Sequence, residues 1–118
     1  MEVFVLKSKI HNATITETSL HYEGSITIDA NLIKKTSLFP YEKVLVSNIS
    51  RGTRLETYVI AGKAGSGVIG LNGAAARLGA LGDRVTIMAF ASLPPKQARE
   101  IKPKIIVLGE NNKIARTV

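Results

Sequence analysis

The stretch HYEGSITID, residues 21–29, places Gly24 and Ser25 directly in front of the β-branched run SITID. Similar short runs recur along the chain, among them VFVLKSKI, KVLVSNI, RLETYVIAG, DRVTIMAF and KIIVLGE. Strands at this density, separated by turn residues, are typical of a small β-barrel or sandwich. We therefore predict a mainly β chain, in which a Gly-Ser pair introduces one of the strands.

The breaks between these runs contain turn residues. SRGTR around Gly52 predicts a hairpin turn, and NNK at residues 111–113 predicts a second tight turn. GKAGSG predicts a loose glycine loop. Gly65, Gly67 and Gly70 also spell G-x-G-x-x-G, but a dinucleotide site needs this motif to open a helix, and the strand-like VIGL follows it instead. We interpret this segment as a hairpin loop.

Two helices are predicted between the strands. One begins with Asp29 as its N-cap and runs through ANLIKKTSL until Phe39 and Pro40 end it. The other is the short GAAARLGA, with Asn72 as its N-cap and Gly79 near its end. PPKQARE is a third candidate for a helical turn, because proline is tolerated in a first turn.

The composition limits the classes of function. A chain of 118 residues with 45% hydrophobic residues is large enough for one compact domain. The absence of cysteine excludes disulfides and thiolate chemistry, and two histidines argue against a multi-histidine metal site. The segment MEVFVLKSKI is charged at Glu2, Lys7 and Lys9, unlike a signal peptide or a membrane span. We expect a cytoplasmic protein that does not bind a membrane.

The formal charge of +7 suggests an anionic partner. One hypothesis is therefore a basic β-barrel module that binds nucleic acid. The chain has no Trp, three Phe and three Tyr, so it offers few rings on which bases could stack. We interpret most of the positive charge as a solvated surface, and the nucleic-acid module is kept as the alternative.

The short run RLETYVI contains more polar residues than a strand buried in the core would need. In RLETYVI, strict alternation puts Arg54, Glu56 and Tyr58 on one face and Thr57 on the other. Asn72 is followed by small residues, which let a backbone approach a ligand closely and leave amide N–H groups free. From the pattern alone, these are either polar residues of an edge strand with a helix cap, or parts of a binding site.

Four segments together decide between these alternatives. KSKIHNATIT, HYEGSITID, RGTRLETYVI and LNGAAARLGALGD, in this order and spacing, closely resemble the aspartate 1-decarboxylase family of pyruvoyl-dependent enzymes. The resemblance covers nearly the whole chain. It implies a six-stranded double-psi β-barrel, a homotetramer, and decarboxylation of L-aspartate to β-alanine and CO2 for the synthesis of pantothenate and coenzyme A.

The resemblance also gives the Gly24-Ser25 pair a role. It implies that the chain cleaves itself into residues 1–24, the β chain, and residues 25–118, the α chain, and that Ser25 becomes a covalent pyruvoyl cofactor. Attack of the Ser25 hydroxyl on the Gly24 carbonyl would convert the amide to an ester, and β-elimination would then break the chain. The new ketone would condense with the substrate amine as a Schiff base. Glycine at position 24 is expected to permit backbone angles that a side chain would forbid.

The remaining site residues are carried over from the same resemblance. Ser25 and Tyr58 are the expected catalytic residues, with Tyr58 as the proton donor, and Thr57 is the expected hydroxyl donor near the Gly24 carbonyl. The expected substrate-binding positions are Lys9, Arg54, Thr57, Asn72, Gly73, Ala74 and Ala75, supported by His11 and Tyr22. Lys9 and Arg54 would hold the two carboxylates of aspartate.

One position departs from the relatives, and two questions stay open. Ser47 stands where several relatives carry tryptophan, which leaves the apolar wall of the pocket undefined. The sequence leaves open whether an accessory maturation factor assists cleavage. It also leaves open a third hypothesis, in which cleavage produces an N-terminal serine hydrolase that keeps its amine.

Overall fold

Nine strands form one continuous sheet in the computed structural model, which describes residues 1–118. The strands are β1 Val3–Thr14, β2 Glu17–Ser19, β3 Ser25–Asp29, β4 Lys43–Asn48, β5 Arg54–Gly62, β6 Ile69–Asn72, β7 Arg84–Leu93, β8 Lys104–Leu108 and β9 Ile114–Thr117. Their order across the sheet is β2-β6-β3-β5-β4-β7-β1-β8-β9. The mainly β prediction is confirmed, and the six-stranded double-psi description stays a prediction.

The strands bury one set of alternating side chains in a common core. The largest fully buried members of this core are Ile10, Ile15, Ile26, Ile28, Val44, Val46, Val59, Ile69, Leu71, Ile87, Ile106 and Leu108. β-branched residues dominate because their side chains pack well on a pleated surface. No helix of the chain has the length and apolar character needed to cross a membrane.

Two α-helices, α1 Ala30–Thr36 and α2 Pro95–Glu100, join the strands. The start of α1 is confirmed, because the Asp29 side chain accepts a hydrogen bond from the Asn31 N–H. The helix ends two residues before its predicted end, since Ser37 adopts a left-handed conformation with φ of 58°. The helical turn predicted in PPKQARE is also confirmed, with proline in its first turn.

The second predicted helix is corrected by the structure. GAAARLGA forms only a 3₁₀ helix, Gly73–Arg77, and Asn72 makes no capping hydrogen bond to it. The physical reason is that Asn72 belongs to β6, where its side-chain amide is already bonded to two hydroxyl groups of β3.

Two of the predicted turns are confirmed, and the glycine loop differs from its prediction. The hairpin around Gly52 is confirmed between the antiparallel strands β4 and β5, and residues 111–113 form a turn between β8 and β9. The glycine loop with Gly65 and Gly67 is not a hairpin loop. It joins β5 to β6, and these strands lie on opposite sides of β3.

Hydrogen bonds to the Asp29 carboxylate connect this glycine loop to the start of α1. Its carboxylate accepts backbone hydrogen bonds from Asn31 at 2.8 Å, Gly65 at 3.0 Å and Gly67 at 2.8 Å. Burial by itself raises the pKa of Asp29, but the three backbone donors outweigh it and hold the pKa below the ordinary value. The ionised carboxylate therefore stabilises the connection between β3, α1 and the loop.

Replacing Asp29 with Asn should lower the free energy of unfolding at neutral pH by about 1–2 kcal/mol, because one acceptor oxygen is lost. A carboxyl group with a depressed folded pKa stabilises the protein above the unfolded pKa of about 4, and that contribution is lost as the pH falls through the folded value. The variant should therefore lose less stability on acidification than the native chain.

Urea unfolding at about pH 7 and about pH 3 measures both effects. Glu100→Gln is the matched control, since Glu100 is exposed and has no ion pair. An unchanged pH dependence in Asp29→Asn would contradict this account of the carboxylate.

Candidate active site

The register of two parallel strands places the Gly-Ser pair beside β5. β3 pairs with β5 from Ile26 opposite Val59 onward. One residue earlier in each strand brings Ser25 level with Tyr58, and a further residue brings Gly24 level with Thr57. Because β3 pairs only from Ile26, the first half of β5 has a free edge at this point.

A cleft of about 350 Å³ lies at this free edge. It is lined by Gly24, Leu55, Glu56, Thr57, Tyr58, Ala74, Ala75 and Leu78. Five residues predicted from the sequence are thus brought together, from the Gly-Ser pair, from β5 and from the 3₁₀ helix. Larger clefts occur elsewhere on the surface, and this one is distinguished by its chemistry and not by its size.

Ser25 is the first residue of β3, and only 1% of it is exposed. Its Oγ accepts a hydrogen bond of 2.9 Å from the Asn72 Nδ2, because Ser25 is opposite Asn72 in the antiparallel pair of β3 and β6. The serine oxygen is therefore held in place while its hydrogen remains available for donation.

Thr27 is a site residue that the sequence reasoning missed. Asn72 Nδ2 donates a second hydrogen bond, also 2.9 Å long, to Thr27 Oγ1. The available signal was alternation, since Thr27 and Ser25 are two residues apart and therefore face the same side of β3. Thr27 fixes the amide that in turn holds the serine hydroxyl.

The expectation that Gly24 needs unusual backbone angles is wrong. Gly24 is not among the residues with positive φ, and a Cβ at this position would meet no atom within 4 Å. The glycine of this site that does adopt the left-handed region is Gly73, with φ of 66°. The segment before Ser25 is exposed, so a small side chain at position 24 has room.

Within one chain, neither His11 nor Arg54 lines the Gly24 cleft. Arg54 is opposite Ser47 in β4, and Ser47 is opposite Thr86 in β7. His11 Nδ1 lies 3.2 Å from the Thr86 hydroxyl. These four residues form a row across β5, β4, β7 and β1.

Lys9 lies on the same outer face of the sheet as this row. It precedes His11 by two residues in β1 and is opposite Met88, which precedes Ala89 and Phe90 in β7. The intervening Ile10 is fully buried, so Lys9 points away from the core. Lys9 and the row of His11 therefore share the outer face of the sheet, and none of these residues lines the cleft of the same chain.

Tyr22 is 56% exposed. It lines a second cleft with Thr27 and Asn72 and is absent from the lining of the first. Gly73, in contrast, is buried directly against the backbone of Tyr22 and Gly24.

The chain is similar to proteins of one family. A family model described as aspartate decarboxylase matches residues 1–115. Aspartate 1-decarboxylase of Clostridium acetobutylicum is 53% identical, over 98% of this chain and 91% of its own length. The protein of the same name from Salinibacter ruber is 49% identical, over 99% of this chain and 80% of its own. That of Carboxydothermus hydrogenoformans is 51% identical, over 98% and 91%.

The bond between Thr27 and Asn72 can be tested by a double-mutant cycle. In a Ser25→Ala background, which removes the other acceptor, Thr27→Val and Asn72→Ala should show a coupling free energy of about 1 kcal/mol in urea unfolding. Thr27→Val combined with Asn48→Ala is the control, because Asn48 is bonded to Asp83 instead. Additive effects in the Thr27 and Asn72 cycle would show that the bond is not formed.

Proposed function

The chain belongs to the aspartate decarboxylase family, and from that premise we propose that it converts L-aspartate to β-alanine and CO2. Its relatives are named aspartate 1-decarboxylase, which is a carboxy-lyase. The observation that best supports the proposal is the buried Ser25, held by Asn72 and level with Tyr58 at a free strand edge. The nucleic-acid alternative rests on net charge alone, and no arrangement of side chains favours it.

We propose that the chain makes its own electron-accepting group from Ser25. Attack of Ser25 Oγ on the Gly24 carbonyl carbon forms an ester, breaks the peptide C–N bond and returns an amine to Ser25. β-Elimination then breaks the Cβ–Oγ bond, releases residues 1–24 with a carboxyl terminus, and leaves dehydroalanine. Water replaces the nitrogen, which departs as ammonia, and the product is a pyruvoyl group. One water is consumed and one ammonia released, so no oxidant or reductant is needed.

The neighbours of the Gly24-Ser25 bond suit this cleavage. Attack on an amide places negative charge on its oxygen, and a nearby donor stabilises that charge. Thr57 lines the cleft with Gly24 and can donate from its hydroxyl. Burial of Ser25 limits contact of the attacking oxygen with bulk water.

The surroundings of Ser25 also fit a ketone. Asn72 Nδ2, which donates to Ser25 Oγ, is a donor of the type that a carbonyl oxygen accepts. The pyruvoyl group, once formed, supplies the electron sink that decarboxylation of an amino acid requires. Tyr58 is proposed to give a proton to the carbon that loses CO2, and its position level with Ser25 in the lining of the cleft supports this role.

Lys9 and Arg54 are proposed to bind the substrate carboxylates, although both lie on the outer face of their own chain. We propose that this face docks on another copy, so that the cations of one copy reach the cleft of its neighbour. Exposed apolar residues on the same face support this idea, because Phe4 is 79% and Phe90 44% exposed beside a surface cleft. A homotetramer, which the resemblance implies, would bury them.

The wider role is proposed from the family. β-Alanine is consumed in making pantothenate and coenzyme A, so we propose that the chain supplies this pathway in the cytoplasm. The amides of Gly73, Ala74 and Ala75 are proposed to contact substrate, and His11 and Tyr22 to support the site. Whether an accessory maturation factor takes part is decided by whether the purified chain cleaves alone.

Native protein should appear in denaturing mass spectrometry as two fragments, residues 1–24 and 25–118. Their masses should sum to that of the intact chain plus one water minus one ammonia. Ser25→Ala should stay intact while its fold is retained, whereas Ser92→Ala, which alters an exposed serine, should cleave like the native chain.

Three outcomes would contradict this account. Cleavage of the Ser25→Ala chain would exclude the hydroxyl as nucleophile. A large fragment that keeps its amine would favour an N-terminal serine hydrolase instead. A native chain that stays whole after long warm incubation would rule out cleavage without an accessory factor.

Tyr58→Phe should be cleaved normally but should form β-alanine at least about 100-fold more slowly, because the proton donor is lost. Tyr41→Phe is the matched control, since the Tyr41 ring lies 6.2 Å from the Tyr58 ring and does not line the cleft. β-Alanine release and fragment masses are measured on the same samples. Full activity in Tyr58→Phe would remove Tyr58 from this role.

A further inference from the structure

We propose that Gly73 is a positioning residue for self-cleavage, because the segment before Ser25 packs against the bare backbone of Gly73. The inference rests on the proposed self-cleavage and concerns a step that precedes any contact with substrate. This role requires glycine itself at position 73. A role for the backbone amide alone could be filled by any residue except proline.

The contact is closer than a side chain would allow. A Cβ on Gly73 would lie 2.7 Å from the Tyr22 carbonyl oxygen and 2.8 Å from both the Cα and the N of Gly24. Real Cβ contacts essentially never fall below 3.0 Å. All three opposing atoms belong to the backbone, so no rotation of a side chain could relieve the overlap.

Little else in the structure holds this segment. Residues 21–24 are exposed, and none of the hydrogen bonds of the chain's turns and loops involves them. Pairing between β3 and β6 begins only at Ser25, which is opposite Asn72. The packing on Gly73 therefore locates the residue that carries the carbonyl to be attacked.

Two consecutive residues thus act on the two reacting groups. Asn72 donates a hydrogen bond to the Ser25 oxygen, which is the nucleophile. Gly73 packs against Gly24, whose carbonyl carbon is the electrophile. A side chain at position 73 would push the segment away by roughly half an ångström or more before ordinary contact at 3.4 Å is restored. Reactions between positioned groups are sensitive to such shifts, and a shift of about 1 Å can cost about 100-fold in rate.

The test compares two glycines that share a left-handed backbone but differ in their surroundings. Gly73 has φ of 66°, whereas Gly82 has φ of 86° and no atom within 4 Å of the point that a Cβ would occupy. Alanine at either position introduces the same kind of backbone strain, and asparagine tolerates this conformation better while still adding a Cβ. Only at position 73 does the Cβ meet the scissile segment.

Cleavage of freshly purified chains is followed by mass spectrometry. Gly73→Ala and Gly73→Asn should each cleave about 100-fold more slowly than the native chain, whereas Gly82→Ala and Gly82→Asn should cleave at nearly the native rate. Native rates in the Gly73 variants, or equal slowing in the Gly82 variants, would overturn the proposal. A native chain that does not cleave would contradict unassisted self-cleavage instead.

A second readout tests the contact without cleavage. In a Ser25→Ala background, Gly73→Ala should increase the rate at which a glutamate-specific protease cuts after Glu23, because the segment is displaced. Cutting after Glu100, and the midpoint of thermal unfolding, should match those of Gly82→Ala. An unchanged rate at Glu23, or a Gly73→Ala chain that fails to fold where Gly82→Ala folds, would overturn the proposal.

Discussion

The parallel pairing of β3 with β5 is the constraint on which the candidate site depends. With Ile26 opposite Val59, the residues just before the paired region are Ser25 beside Tyr58 and Gly24 beside Thr57. A shift of one residue would turn the side chains of β3 to the other face, and the buried Ile26 and Ile28 make that shift costly. The hydrophobic core therefore fixes the positions of Ser25 and Gly24 relative to β5.

β6 completes the site from the other side of β3. Its last residue, Asn72, donates hydrogen bonds to the hydroxyls of Ser25 and Thr27. The chain then turns at Gly73, where a side chain would overlap the segment before Ser25. The Ser25 oxygen and the Gly24 carbonyl, which react in the proposed cleavage, are thus positioned by two consecutive residues, Asn72 and Gly73. Positioning of this kind is the main contribution a protein can make to a reaction within its own backbone.

Local signals in the sequence predicted local features, and contacts between distant segments were not accessible to them. The cap at Asp29 and the hairpin at Gly52 depend on a few adjacent residues, and both are confirmed. Asn72 was expected to cap a helix because it directly precedes a predicted helix. Its actual partners, Thr27 and Ser25, lie 45 and 47 positions away along the chain, where no local pattern reveals them. The role of Thr27 stayed hidden for the same reason. The site residues were predicted from the resemblance to the family. The motifs of the family reflect such distant contacts indirectly.

The central claim is that Ser25 becomes the group that holds the substrate. The most direct measurement is reduction of the processed protein with borohydride in the presence of L-aspartate, followed by mass spectrometry of the fragment 25–118. The account predicts that the substrate or its decarboxylated product becomes covalently fixed at the amino end of this fragment. A protein that forms β-alanine but carries no such addition would contradict it.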